Sequence, residues 1–347
     1  MRTSRGPLPA GSIQPNRATV IDLNTLAPFL APADPALYFS RNDPADPRMG
    51  DVIVRDLSAI PDTVRAVLIG VPQDIGVARN RGRIGAAGAP SAIRGMLARL
   101  TPYDMLAARP VPAGFLADAG DIRCDGELEE IHDRLRTVVR ALRVAGCVPI
   151  VVGGGHDITY AAAAGVYDAD GASGIINLDA HLDVRSPVPA RNSGTSFRML
   201  IEEGMVVPGN VVEFGIQSFA NAEAHVRWLI SQGGRIITLD EVRARGFGTS
   251  LATAYLIAGS GERHVYATLD MDAVRSADAP GVSATMPDGF SAQEFLGAAR
   301  LLGRRPATVA LDVAEVNPAY DRDNVTAKLA AHAIQQFVAG LCERAGG

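Results

Sequence analysis

Three short runs of this 347-residue chain combine residue types and spacings suited to metal chemistry. Gly153-Gly-Gly-His156-Asp157 follows an apolar run ending at Val152. Asp179-Ala-His181-Leu-Asp183 follows Ile175-Ile-Asn-Leu178, and Asp270-Met-Asp272 follows Tyr266-Ala-Thr-Leu269. In extended chain, residues i, i+2 and i+4 share a face, so Asp179, His181 and Asp183 converge, as do Asp270 and Asp272. Four carboxylates packed together repel one another and are costly to ionise unless a cation offsets their charge. With His156 and His181 the donors are imidazole and carboxylate, without thiolate, which suits a hard or borderline divalent ion such as manganese. Six side chains exceed the needs of one catalytic ion, so a pair of ions roughly 3.5–4 Å apart, bridged by shared carboxylates, is expected.

Taken singly, each run has a plainer reading. A Gly-Gly-Gly turn before a helix can bind phosphate, although this one fits neither G-x-G-x-x-G nor the P-loop pattern. Asp-x-Asp at a strand end is often a cap. Convergence of all three runs is what points to metal. His132, His225, His264 and His332 lack such neighbours and are read as surface or satisfied core histidines. A further carboxylate, Glu315, stands in Leu311-Asp312-Val-Ala-Glu315-Val-Asn317-Pro318 before a Pro-terminated turn, placed to pair with a cationic substrate.

The elements that must position these residues are short Val/Ile/Leu runs alternating with helical segments. Ala66–Ile69, Val148–Val152, Gly174–Leu178, Val211–Phe214, Val265–Leu269 and Ala307–Leu311 read as strands buried on both faces. Helices are expected near 89–100, 126–146, 157–168, 194–204, 221–233, 291–303 and 323–343. Alternation of this kind implies a parallel α/β sheet, whose ligands sit beyond the carboxyl ends of the strands. Residues 1–62, rich in Pro, Asp and Asn, read as an extension wrapped on the surface of a single domain spanning 63–347.

Composition narrows the function class. The 33 basic and 38 acidic residues leave a net charge of −5, which argues against a nucleic-acid or anionic-membrane partner. No run reaches the roughly 18 apolar residues of a membrane span, and the N-terminus lacks a signal-peptide core. Cys124, Cys147 and Cys342 are widely separated and read as reduced thiols of a cytoplasmic protein.

The four blocks Gly153–Asp157, Asn177–Asp183, Thr268–Asp272 and Ala310–Pro318 resemble the ureohydrolases, the family of arginase, agmatinase and formimidoylglutamase, in order and spacing over about residues 64–343. The resemblance implies a three-layer α/β/α sandwich with a mostly parallel sheet, two Mn2+ ions per subunit, and a homo-oligomer, trimeric or hexameric. It also implies that His156 and Asp183 hold one ion, His181 and Asp272 the other, that Asp179 and Asp270 bridge both, and that Glu315 binds the amidinium or guanidinium group.

Val71–Ala87 and Asn192–Arg198 look like the formimidoylglutamase branch, which makes Asn80, Arg83, Asn192 and Ser193 substrate-binding candidates. Arginases and agmatinases usually carry a His-Gly pair where Ser193-Gly194 stands here. This counts against their activities and leaves the proton shuttle unassigned. N-formimidoyl-L-glutamate carries two carboxylates, for which arginine is the natural partner. Arg79, Arg83, Arg191, Arg198 and Arg275 are expected near the active edge. The implied reaction is metal-assisted hydrolysis, with Asp183 passing a proton to the leaving amine. The alternatives are an agmatinase or guanidinobutyrate-type amidinohydrolase acting on a guanidine, a binuclear phosphoesterase, and a non-catalytic metal-binding homologue.

Overall fold

Strands buried on both faces form the centre of the structure, a computed structural model that describes residues 23–56, 62–261 and 263–345. In chain order they are β1 (Leu30–Ala31), β2 (Ala66–Val71), β3 (Leu116–Ile122), β4 (Val148–Gly153), β5 (Ser173–Leu178), β6 (Val206–Ile216), β7 (Arg235–Thr238), β8 (Val265–Asp270) and β9 (Thr308–Ala314). They form one nine-stranded sheet in the order β1-β3-β2-β4-β9-β8-β5-β6-β7. Every pairing is parallel except β1 with β3.

The α-helices of seven residues or more are α1 (Ala89–Leu97), α2 (Leu128–Val144), α3 (Ile158–Asp170), α4 (Ser196–Glu202), α5 (Glu223–Gln232), α6 (Leu239–Arg245), α7 (Phe247–Ala258), α8 (Ala292–Arg304) and α9 (Val325–Ala345). Residues of α1, α6, α7, α8 and α9 share one core with Ala66 and Leu68 of β2. Residues of α2, α3 and α4, with Leu229 of α5, share the other core with Val67, Ile69 and Val71. The two-residue period of the strand thus feeds two cores, one on each face, and the fold is a three-layer α/β/α sandwich.

Local signals explain the main helices. In α2 the buried residues Leu128, Ile131, Leu135, Val138, Val139 and Leu142 recur at helical spacing, and Gly146, at φ 77°, turns the chain back toward β4. Truncating Leu135 to Ala costs about 2–5 kcal/mol by the usual penalty for emptying a packed core position. Ser291 and Glu294 form a capping box that starts α8, and Thr238 and Glu241 do the same for α6.

Three strands, the two-residue β1 among them, and two of these helices escaped the sequence reading. β3 (LADAGDI) has too few apolar residues to stand out. Its acidic residues, Asp118 buried and Asp121 half-buried, are held there because Arg94 of α1, 2% exposed, donates to both, and Tyr38 Oη donates to Asp118 Oδ2 at 2.8 Å. β7 is a short, half-buried edge. α6 spans only seven residues, and α7 is apolar around much of its circumference, which hides its period.

Before β2, Leu30 and Ala31 pair with Ile122 and Asp121 at the sheet edge. Residues 1–22 and 57–61 of the expected extension lie outside the described residues. Among the described residues, no helix is long and apolar enough to cross a membrane.

Candidate metal centre and cleft

The carboxyl ends of β4, β9, β8 and β5, four consecutive strands in the sheet, supply every expected ligand. His156 follows β4 through Gly153-Gly-Gly155. At Gly154 a Cβ would come 1.5 Å from the Gln73 carbonyl oxygen, so only glycine lets the turn pass. The Glu315 N–H donates to the Gly154 carbonyl at 2.9 Å, joining the ends of β9 and β4. Asp183 and Glu315 adopt positive φ, 44° and 64°, a strained choice for residues other than glycine that turns their chains sharply at the site.

His156 Nδ1 faces three carboxylate oxygens: Asp183 Oδ2 at 2.9 Å, Asp179 Oδ2 at 3.2 Å and Asp270 Oδ2 at 3.2 Å. Its Nε2 lies 2.7 Å from Thr268 Oγ1, whose hydroxyl donates to Asp312 Oδ1 at 2.6 Å. A hydroxyl has one proton, so Thr268 accepts from His156 Nε2–H and Nδ1 is left to face the carboxylates; without a metal ion these three outweigh burial and hold the ring well above its ordinary value, so that Nδ1 carries a proton. Three carboxylates around Nδ1 call for a cation among them, either a proton on the ring or, with the ring neutral, a metal ion in its place. The donor set therefore fits a divalent metal ion.

A second group adjoins the first. His181 Nδ1 lies 3.0 Å from Asp272 Oδ2 and 3.5 Å from Asp179 Oδ1, so Asp179 serves both groups. Asp272 Oδ1 is buried without a hydrogen-bond partner, as an atom reserved for an ion would be. Asp270 groups with His156, Asp179 and Asp183, and its Oδ1 accepts from the Asp272 N–H at 2.7 Å. The bridging role implied for Asp270 thus rests on the resemblance alone, whereas that of Asp179 has geometric support. Without a metal ion Asp183, Asp270 and Asp272 resist ionisation, whereas His156 and His181 outweigh burial at Asp179 and hold it well below its ordinary value. Burial, then the neighbouring Asp272 and Asp179, pushes Asp270 well up. Burial, aided by Asp179 and Asp183, outweighs the opposing pull of His181 and lifts Asp272 to about 6. Burial and the charge of Asp272 raise Glu315 to about 8.

These residues floor a cleft of about 360 Å³. Of the substrate-binding candidates, Asn80, Arg83, Ser193 and Glu315 line it, and Asn80 Nδ2 donates to Ser193 Oγ at 3.0 Å. Asn192 and Arg79 line an adjoining recess. Arg79 is engaged by Glu129 at 2.8 Å. Arg191 lies over the Tyr160 ring, Arg198 stacks on Trp228 and pairs with Glu202, and Arg275 pairs with Asp278; none of these three lines the cleft.

Five polar residues that the sequence reading did not place at the site do line it: Arg81, Arg185, Asn221, Ser283 and His225, the last read there as a surface or core histidine. One signal was available, because the alternation Asp179, His181, Asp183 continues to Arg185. His225 gave none, since α5 brings it from a segment 42 residues beyond Asp183 in the sequence. His132 is a core histidine with Nε2 2.9 Å from Asp157 Oδ2, but its buried Nδ1 has no hydrogen-bond partner, so the expectation of a satisfied ring holds for one nitrogen only.

Residues 64–340 match the arginase family, and the chain belongs to that family. It is 38% identical over 273 residues to the formimidoylglutamase of Geobacillus thermodenitrificans, covering 77% of this chain and 81% of that one. With the formimidoylglutamase of Ralstonia nicotianae it shares 34% over 323 residues, 89% and 96% of the two chains. The crystal structure of Trypanosoma cruzi formiminoglutamase with Mn2+ superimposes with a TM-score of 0.80 at 33% identity, covering 86% of this chain and 99% of that one.

Proposed function

We propose that the protein is a formimidoylglutamase, hydrolysing N-formimidoyl-L-glutamate to L-glutamate and formamide with a pair of manganese ions. The observation that carries this reading is His156 Nδ1 facing three carboxylates beside Glu315, in a chain whose relatives named above are formimidoylglutamases. His156, Asp179, Asp183 and Asp270 would hold one ion, and Asp179, His181 and Asp272 the other. Bound there, the ions would supply Lewis-acid activation of water at neutral pH.

The protein's own groups set the rest of the chemistry. Glu315 Oε1 accepts the His156 N–H at 3.0 Å, which fixes the carboxylate and leaves Oε2 to hold the amidinium nitrogens. Asp183 lies at the cleft with one oxygen against His156, leaving the other to pass a proton to the leaving nitrogen. Asn80 and Ser193, joined by their hydrogen bond, present a neutral polar wall where a His-Gly pair would have placed an imidazole. This favours the formimidoyl substrate over a guanidine.

The same reading takes residues 63–347 as one catalytic domain with the preceding segment packed on its edge, working as a cytoplasmic homo-oligomer. The pairing of β1 with β3 supports the first point, and the widely separated cysteines support the compartment. Assay of manganese-loaded protein on N-formimidoyl-L-glutamate, agmatine, arginine and 4-guanidinobutyrate tests the substrate. Hydrolysis of the formimidoyl compound in strong preference is expected; preference for a guanidine overturns the proposal.

A further inference from the structure

Most arginines near the active edge are already committed. Arg79 is held by Glu129, Arg191 lies 3.6 Å from Glu129 and over Tyr160, Arg198 pairs with Glu202, and Arg275 pairs with Asp278. Arg83 reaches the cleft, but its Nε donates to the Ser283 carbonyl at 2.9 Å and its Nη2 to the Val282 carbonyl at 2.6 Å, while its guanidinium stacks on Tyr320. Arg81 and Arg185 differ. Both are exposed, both line the cleft and its adjoining recess, and neither guanidinium has an ion pair or hydrogen bond among the described residues.

Their placement is built rather than incidental. Arg81 sits at φ 63°, sharing with Asp183 and Glu315 a left-handed backbone that is uncommon outside glycine, and all three line this one cleft. The Arg185 N–H donates to the Gly194 carbonyl at 2.7 Å, and its stem lies across Gly194, where a Cβ would come 2.7 Å from Arg185 Cδ and 2.9 Å from Nε. Glycine at 194 therefore seats the Arg185 stem against the loop that carries Ser193. Beside it, His225 is pushed below its ordinary value by burial and by the Arg185 and Arg198 guanidiniums, so it joins the rim as a neutral polar group.

The cleft is thus bipolar, with an acidic floor at Asp183, Asp270, Asp272 and Glu315 and a rim bearing two guanidiniums that are unpaired among the described residues. We propose that Arg81 and Arg185 bind the carboxylates of the substrate and select amidines with an anionic tail. Guanidinium forks pair with carboxylates in bidentate fashion, whereas a tail ending in an amine or alkyl group leaves both arginines merely solvated. This rests on the reading of the floor as an amidine site.

Arg81→Gln, Arg185→Gln and the double variant, manganese-loaded, should each raise KM for N-formimidoyl-L-glutamate about tenfold or more with kcat within about twofold, while any slow turnover of agmatine is unchanged. Arg185→Lys should recover part of the loss. An unchanged KM in the double variant overturns the inference. Calorimetric titration of the holoprotein with L-glutamate separates this inference from the substrate proposal. If the wild type hydrolyses only guanidines, the proposed activity fails, and glutamate binding that is lost in the double variant still upholds the carboxylate site. Equal glutamate binding by wild type and double variant, or none by the wild type, overturns it.

Discussion

His156 Nε2 lies 2.7 Å from Thr268 Oγ1, and this contact decides which nitrogen of the ring can bind metal. Thr268 is tied to Asp312, which also accepts from Tyr266 Oη at 2.6 Å and Thr159 Oγ1 at 2.8 Å. Three hydroxyls from β8 and α3 thus brace one buried carboxylate of β9, and the brace sets the orientation of the imidazole. Thr268→Val removes the acceptor while preserving shape. Manganese affinity should fall about 10- to 100-fold, the usual cost of losing a residue that orients a metal-bound histidine. Manganese titration followed by electron paramagnetic resonance measures it, and unchanged affinity would remove Thr268 from any orienting role.

Glu315 is held by the His156 N–H, so its replacement should leave the donor groups in place. Glu315→Gln is expected to retain bound manganese while losing about a thousandfold in kcat/KM, in the range for removing one preorganised charge partner of a reacting group. Metal analysis of the same preparation used for kinetics makes the distinction. A variant that loses both together would place Glu315 among the groups holding the ions instead.

His181 and Asp272 belong to only one of the two donor groups. His181→Ala should therefore retain roughly half the manganese of the wild type and almost none of its activity, because a paired-ion site fails when either ion is lost. Stripping both ions with a chelator should lower the melting temperature, since ligands that bind only the folded state stabilise it by mass action. Equal melting curves with and without chelator would contradict the assignment of this acidic cluster to metal.

Away from the site, Arg300 of α8 donates to Asp104 Oδ2 at 2.6 Å and to Gln336 of α9 at 2.9 Å. Burial alone would raise the Asp104 carboxyl, but Arg300 and the Ala107 and Leu106 N–H groups outweigh it and hold it below its ordinary 3.8. A depressed folded value means stability that is fully present above the unfolded value and is lost as pH falls through the folded one. Asp104→Asn should cost about 2 kcal/mol near neutrality. That deficit should shrink as pH drops below about 3.8, as urea unfolding across pH will show. A deficit that stays constant into strong acid would mean the pair does not contribute through charge.

Much of this was legible along the chain because the information is local. Buried parallel strands announce themselves as continuous apolar runs, so six strands of the sheet stood out, and the polar residues directly after them marked the site. The period of extended chain grouped Asp179, His181 and Asp183 before any fold was known. β3 stayed hidden because its acidic residues, the buried Asp118 and half-buried Asp121, are compensated by Arg94, a partner more than twenty positions away that no window of sequence reveals.

The sequence by itself determined the donor types, their strand-end positions and hence the metal chemistry, because these depend on residue identity and a two-residue period. Only the tertiary structure decided which nitrogen of His156 faces the carboxylates, that Asp179 serves both donor groups, and which arginines are free to meet a substrate. Arginines are common and their side chains long, so an arginine's use depends on whether a carboxylate elsewhere in the fold has already claimed it. Glu129, Glu202 and Asp278 claim Arg79, Arg198 and Arg275, and the cleft is left with Arg81 and Arg185.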